Sequence, residues 1–169
     1  IDPYLNLDKQ ISSGVDYALE YKFKNDMGQF TYNLSAARLI SRKTIAGEES
    51  DILSDLGIVV TNLGNMVGIN GSPKWKANSS LKWRNQAWSA ALTMEHTGKF
   101  EETSASITDS EGNREYWKID AWHRFNAYIG YDFTHDAAQG MKISFGIKNL
   151  FDKLPPMADE RFGLFGGIH

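Results

Sequence analysis

From Val15 to Phe23 the chain alternates without a break. Val15, Tyr17, Leu19, Tyr21 and Phe23 are large and apolar or aromatic, while Asp16, Ala18, Glu20 and Lys22 are charged or small. A helix would wind Asp16, Glu20 and Lys22 in among the rings. An extended strand sends successive side chains to opposite faces and separates the two sets completely. The segment therefore demands a sheet with one apolar and one polar face.

The same alternation recurs along the chain. The apolar sets are Phe30, Tyr32, Leu34 and Ala36; Trp75, Ala77, Leu81 and Trp83; Trp88, Ala90, Leu92 and Met94; Phe125, Ala127, Ile129, Tyr131 and Phe133; and Met141, Ile143, Phe145 and Ile147. Together these segments predict an all-β chain of about six antiparallel, up-and-down strands, each near the roughly 9–11 residues of a membrane-crossing strand. Residues 24–29, 84–87 and 134–140 read as short turns, and residues 44–72, 102–115 and the tail from Asp152 as long connections. Short turns at one end and long loops at the other are the habit of outer-membrane barrels.

The aromatic residues follow the same geometry. Tyr21, Phe23, Phe30, Tyr32, Trp83, Trp88, Tyr131 and Phe133 all flank the short turns on the apolar parity. Amphipathic rings favour the headgroup level of a bilayer, so this set is the expected lipid-facing girdle. The opposite parity carries Asp16, Glu20, Lys22, Lys76, Lys82, Glu95, Arg124, Asp132, Lys142 and Lys148. In a wide barrel these line a wet lumen, and in a small soluble barrel or sandwich they face bulk water.

Composition agrees with this picture and excludes several others. The 169 residues carry a formal net charge of −3 and no cysteine. The mild charge gives no reason to expect nucleic acid, and the missing thiols remove disulfides and thiolate metal sites. No apolar run approaches the roughly 20 residues of a spanning helix. Mean hydropathy is −0.42, a value to which membrane strands contribute little, because only every second residue is apolar.

Chemistry-bearing motifs are sparse. His96, His123, His135 and His169 lack metalloprotease spacing, and interfacial packing is the expected role of His96 and His123 on the apolar parity. Glu48, Glu49, Asp51 and Asp55 form an acidic cluster without EF-hand spacing. Asn78-Ser79-Ser80 fits a glycosylation sequon but falls mid-strand. No phosphate loop or nucleophile elbow is present. The expectation is therefore no catalytic residue, no cofactor and no metal site.

The tract Gly146-Ile147-Lys148-Asn149-Leu150-Phe151-Asp152-Lys153-Leu154-Pro155-Pro156 is an alternating strand running into Asn, Asp and two prolines, which end it by fixing φ and removing donors. It closely resembles the signature near the C-terminus of TonB-dependent outer-membrane receptors. Gly14-Val15-Asp16-Tyr17, Ser72-Pro73-Lys74-Trp75-Lys76-Ala77-Asn78 and Trp117-Lys118-Ile119-Asp120 are similar to stretches around late strands of that family. The resemblance implies that residues 1–169 are one partial barrel domain, a C-terminal part from which the plug and the last strand are missing. It further implies a Gram-negative outer membrane, TonB-coupled uptake of a siderophore, cobalamin, haem or oligosaccharide, and partners in membrane lipid, a plug, the remaining strands and TonB. Substrate contact is expected in loop residues 51–70 and 101–114, at Asp51, Asp55, Glu101 and Arg114, and at Arg161. The rival readings are a soluble ligand-binding β module and an outer-membrane barrel enzyme.

Overall fold

The structure, a computed structural model, describes residues 8–57, 64–108, 110–134 and 140–156. Nine strands and one helix follow in order: β1 (Asp8–Asn25), β2 (Gly28–Ala46), α1 (Glu48–Asp55), β3 (Gly64–Asn65), β4 (Trp75–Asn85), β5 (Trp88–Thr97), β6 (Phe100–Thr108), β7 (Arg114–Ile119), β8 (Trp122–Asp132) and β9 (Lys142–Ile147). The main sheet runs β1-β2-β4-β5-β8-β9 with β3 against β2, while β6 and β7 form a separate hairpin. All of these strand pairings are antiparallel.

The expected six segments are the six strands of the main path. Their register carries each apolar residue onto an apolar neighbour. One row runs Phe23, Phe30, Trp83, Ala90, Ile129, Phe145, and the next runs Tyr21, Tyr32, Leu81, Leu92, Ala127, Ile147. A one-residue slip anywhere would send a whole strand's rings to the charged face.

The short turns are tight. Asp26 and Met27 alone join β1 to β2, where the Met27 N–H donates to Asn25 Oδ1 at 3.0 Å. Gly28 follows with φ 126, and a Cβ there would lie 2.5 Å from the Arg84 carbonyl oxygen, so only glycine fits. Gln86 and Ala87 join β4 to β5. Between β8 and β9, Phe133 N–H donates to the Met141 carbonyl at 2.8 Å and Gly140 N–H to that of Phe133 at 3.0 Å.

Two expectations about length need correction. β4, β5 and β8 have 11, 10 and 11 residues, but β1 has 18 and β2 has 19. The β1–β2 ladder passes a register shift between Ser13 and Gly14, at Ile40, and continues to Asp8 opposite Ala46. A Cβ on Gly14 would stand 2.8 Å from the Arg38 carbonyl oxygen, so the bulge requires a glycine there. Beyond the bulge β2 carries Arg42, Lys43 and Thr44; alternation stops there, and a period-two reading ends with it. The expected long connection 102–115 is largely the β6–β7 hairpin, and 44–72 holds α1 and β3. Gly47 stands at the N-cap of α1; Gly57, at φ 78, follows its end.

Apart from Gly130, the buried residues among those described do not belong to the main sheet. Phe100 and Ile119 are cross-strand partners of the hairpin and 4% and 3% exposed. Ser72 and Glu102 are buried with them. On the main sheet, by contrast, Leu19 is 53%, Tyr21 59% and Phe145 64% exposed. A contiguous apolar face of this extent on a soluble sheet would need a covering layer.

Candidate functional site

The polar parity assembles into one continuous surface. Pairing aligns Glu20, Asn33, Ser80, Thr93 and Asn126 in one row and Ala18, Ser35, Asn78, Glu95 and Arg124 in the next. Glu20, Asn33, Ser35, Asn78, Ser80, Thr93 and Glu95, together with Leu19, Leu34 and Met94 of the other parity, line an open trough. The side chains interact across strands. Arg124 Nη2 donates to Glu95 Oε2, and its guanidinium lies 5.5 Å from the Trp122 ring centroid. Asp132 stands between Lys142 at 3.4 Å and Arg84 at 3.9 Å. Lys22 meets Glu20 on its own strand at 2.8 Å. Exposed pairs of this kind contribute about 0–1 kcal/mol, so their consequence is a charged lining rather than stability.

Asp16 and Lys76 lie in one row with Ala37 between them. With Arg42 and Ser72 they line a cleft at the long-loop end. Lys82 shares the row of Lys22, with Thr31 between them. Lys148 directly follows β9.

At that end the chain stitches its loops together. Arg42 Nη1 donates to Ser72 Oγ at 2.7 Å, and Met66 N–H donates to the Arg42 carbonyl at 2.7 Å. Asn70 N–H donates to the Glu101 carbonyl, and Glu101 N–H donates to that of Gly68, both at 2.8 Å. Asn70 Nδ2 donates to Thr103 Oγ1 at 2.8 Å, while its Oδ1 accepts from Thr103 N–H at 2.9 Å. Glu101 thus serves the fold through its backbone. Asp51 and Asp55 fall on α1 and Arg114 opens β7; Arg161, His135 and His169 lie outside the described residues. Arg42 carries no alternating or motif signal, and sequence reasoning missed it; Ser72 stood in a family-like stretch and Asn70 and Thr103 in the expected loop ranges, without any sign of these bonds.

The apolar face has aromatic clusters at both ends, and Phe125 meets Phe151 edge-on at 5.3 Å. Near the short turns, Phe23 stacks on Phe30 at 4.7 Å and 5°, and Tyr131 contacts Trp88 at 4.7 Å and Phe133 at 4.9 Å. Trp83 Nε1 donates to the Met27 carbonyl at 2.7 Å, so this ring closes over the first turn. At the opposite end Tyr17 and Trp75 stack at 5.9 Å, and the Arg38 guanidinium sits 5.5 Å from the Trp75 ring centroid. The second cluster escaped the sequence reading, although Tyr17 and Trp75 share the apolar parity.

The proline-ended tract closes this surface. Asn149 has φ 52. Its amide donates to the Lys153 carbonyl at 3.2 Å and accepts from Lys153 N–H at 3.1 Å. Its N–H reaches Asn126 Oδ1 at 3.0 Å, and Asn126 Nδ2 in turn donates to Thr93 Oγ1 at 3.2 Å. Leu150 N–H donates to the Phe125 carbonyl at 2.7 Å. The end of β9 is therefore tied across β8 to β5.

An antiparallel sheet with ring clusters at both ends of an exposed apolar face and charges on the other face is the wall of a membrane barrel. The family described as TonB dependent receptor-like, beta-barrel, matches residues 2–150. The chain belongs to this family. Its members are outer-membrane receptors of the transport type, which removes the soluble module from consideration. No curated protein and no solved structure matches the chain. No helix is long and apolar enough to cross a membrane, so any crossing among the described residues is made by strands. Among the described residues no group of three or more His, Asp or Glu is placed to hold a metal ion.

Proposed function

We propose that this sheet is wall and mouth of a barrel for TonB-coupled uptake of a scarce small solute, in the outer membrane of a Gram-negative bacterium. The polar parity, from Asp16, Glu20 and Lys22 through Lys76, Lys82, Glu95, Arg124, Asp132 and Lys142 to Lys148, faces the lumen. The aromatic parity, with Tyr21, Phe23, Phe30, Tyr32, Trp83, Trp88, Tyr131 and Phe133 as its short-turn girdle, faces lipid. The observation that carries this reading is the separation of charge from rings: the ladder puts Glu20, Glu95 and Arg124 on one face and the exposed Leu19, Tyr21 and Phe145 on the other. Charge on the lipid side would cost about 2–4 kcal/mol per cation at the midplane, whereas a wet lumen accepts it.

The role is transport rather than catalysis. Six wall strands do not close a lumen of receptor width, so further strands complete the barrel, a plug fills it and TonB drives the plug. The solute is a siderophore, cobalamin, haem or an oligosaccharide. It first meets the mouth, at residues 51–70 and 101–114 and at Arg161. Uptake by cells producing the intact receptor tests this, using labelled members of those four classes. Accumulation of one class that ceases when the proton gradient is collapsed is the expected result. Accumulation that survives the collapse would make the barrel a passive pore.

A further inference from the structure

We propose that His96 and His123 form a surface site for a late first-row divalent metal ion, copper(II) foremost, bridging β5 and β8. The two residues are directly paired in the ladder. His96 Nδ1 lies 3.0 Å from His123 Nε2, and the ring centroids are 4.6 Å apart. Two metal–nitrogen bonds of roughly 2.0–2.1 Å at a right angle span about 3 Å. The nitrogens thus already stand where two cis ligands of a square or octahedral ion belong. Imidazole suits copper, nickel and zinc, and copper(II) binds most tightly of the divalent series.

The scaffold holds this geometry. The ladder continues in register on both sides, through Met94 opposite Phe125 and Thr97 opposite Trp122, so no loop has to order when the ion binds. On its other flank His96 pairs with Ala77, whose small side chain leaves room for water to complete the coordination. The pair is half-exposed. It stands eight residues along β5 and β8 from Trp88 and Tyr131, about 27 Å at roughly 3.4 Å per residue. That distance puts it at the long-loop rim, within reach of aqueous ions. In the metal-free pair one ring donates an N–H to the other. Binding needs both lone pairs, so that ring's proton moves through water to its second nitrogen, the other tautomer.

Titration of the intact receptor in detergent with copper(II) chloride tests the site, read by calorimetry and by nitrogen hyperfine splitting in electron paramagnetic resonance. His96→Phe and His123→Phe keep an apolar ring on this face and remove one ligand each. Either substitution is expected to weaken copper binding about tenfold or more, since disturbing even an outer-shell partner costs about 10–100-fold. Each should also reduce the coordinated imidazoles from two to one. Absence of copper binding by the unaltered receptor, or equal affinity and nitrogen number in both variants, would overturn the proposal.

Discussion

The two ends of this sheet are built by different rules. At the short-turn end, two-residue turns join β1 to β2 and β4 to β5, the register is unbroken, and aromatic rings stack along the apolar face. At the long-loop end the β1–β2 ladder bulges, and a helix and a separate hairpin intervene. The segment around Gly68 and Asn70 is sewn to Glu101 and Thr103 by hydrogen bonds between residues about 33 positions apart. The buried residues Phe100, Ile119, Ser72 and Glu102 all lie here. The long-loop end folds over a small cluster of buried side chains of its own, whereas the wall, in the proposed reading, turns its apolar surface to lipid.

The strongest way to separate the two ends is Phe100→Ala. Emptying this site should destabilise the mouth by about 3–5 kcal/mol. Hydrogen exchange is expected to accelerate at Asn70 and Glu101 and to stay slow in β4 and β5. Equal acceleration in both would show that wall and mouth are one cooperative unit. Next in size is Leu19→Arg, which should cost the barrel about 2–4 kcal/mol if the site lies near the midplane. Ala18→Arg, one residue away on the other face, should be far milder; denaturant unfolding into detergent compares the two, and equal costs would end the assignment of faces.

Asn149→Ala comes third. It removes the paired bonds to Lys153 at a position with φ 52, for an expected loss of about 1–2 kcal/mol in the same unfolding measurement. Asn149→Gly should lose less, because glycine adopts positive φ freely; a larger loss in the glycine variant would contradict that account of the turn. The smallest effect belongs to Trp83→Phe. Loss of the bond to the Met27 carbonyl should cost about 1 kcal/mol, and a cost well above that would mean the turn is held mainly by this ring.

The difference between the ends also explains what could be read from the sequence. Val15 to Phe23 declares its strand because a sheet with one apolar and one polar face imposes a period of two. Past the Gly14 bulge that contrast fades, so the remaining residues of β1 and β2 gave no sign of continuing the ladder. Asn70 and Thr103 are ordinary polar residues whose meaning lies in each other. His96 and His123 were legible as apolar-face residues near the rim, but their contact at 3.0 Å depends on the register of β5 with β8. The tract from Gly146 was recognisable as a strand end, while the reach of Asn149 back to Asn126 and Thr93 required the neighbouring strands.

The central claim is that the charged parity marks the lumen while the rings mark lipid. The chain contains no cysteine, so single cysteines can be introduced along β5, from Ser89 to Glu95, in the intact receptor. Labelling with a water-soluble maleimide in membranes is the direct measurement. The account predicts alternation, with reaction at positions 89, 91, 93 and 95 and protection at 90, 92 and 94. Uniform labelling, or alternation of the opposite phase, would contradict it.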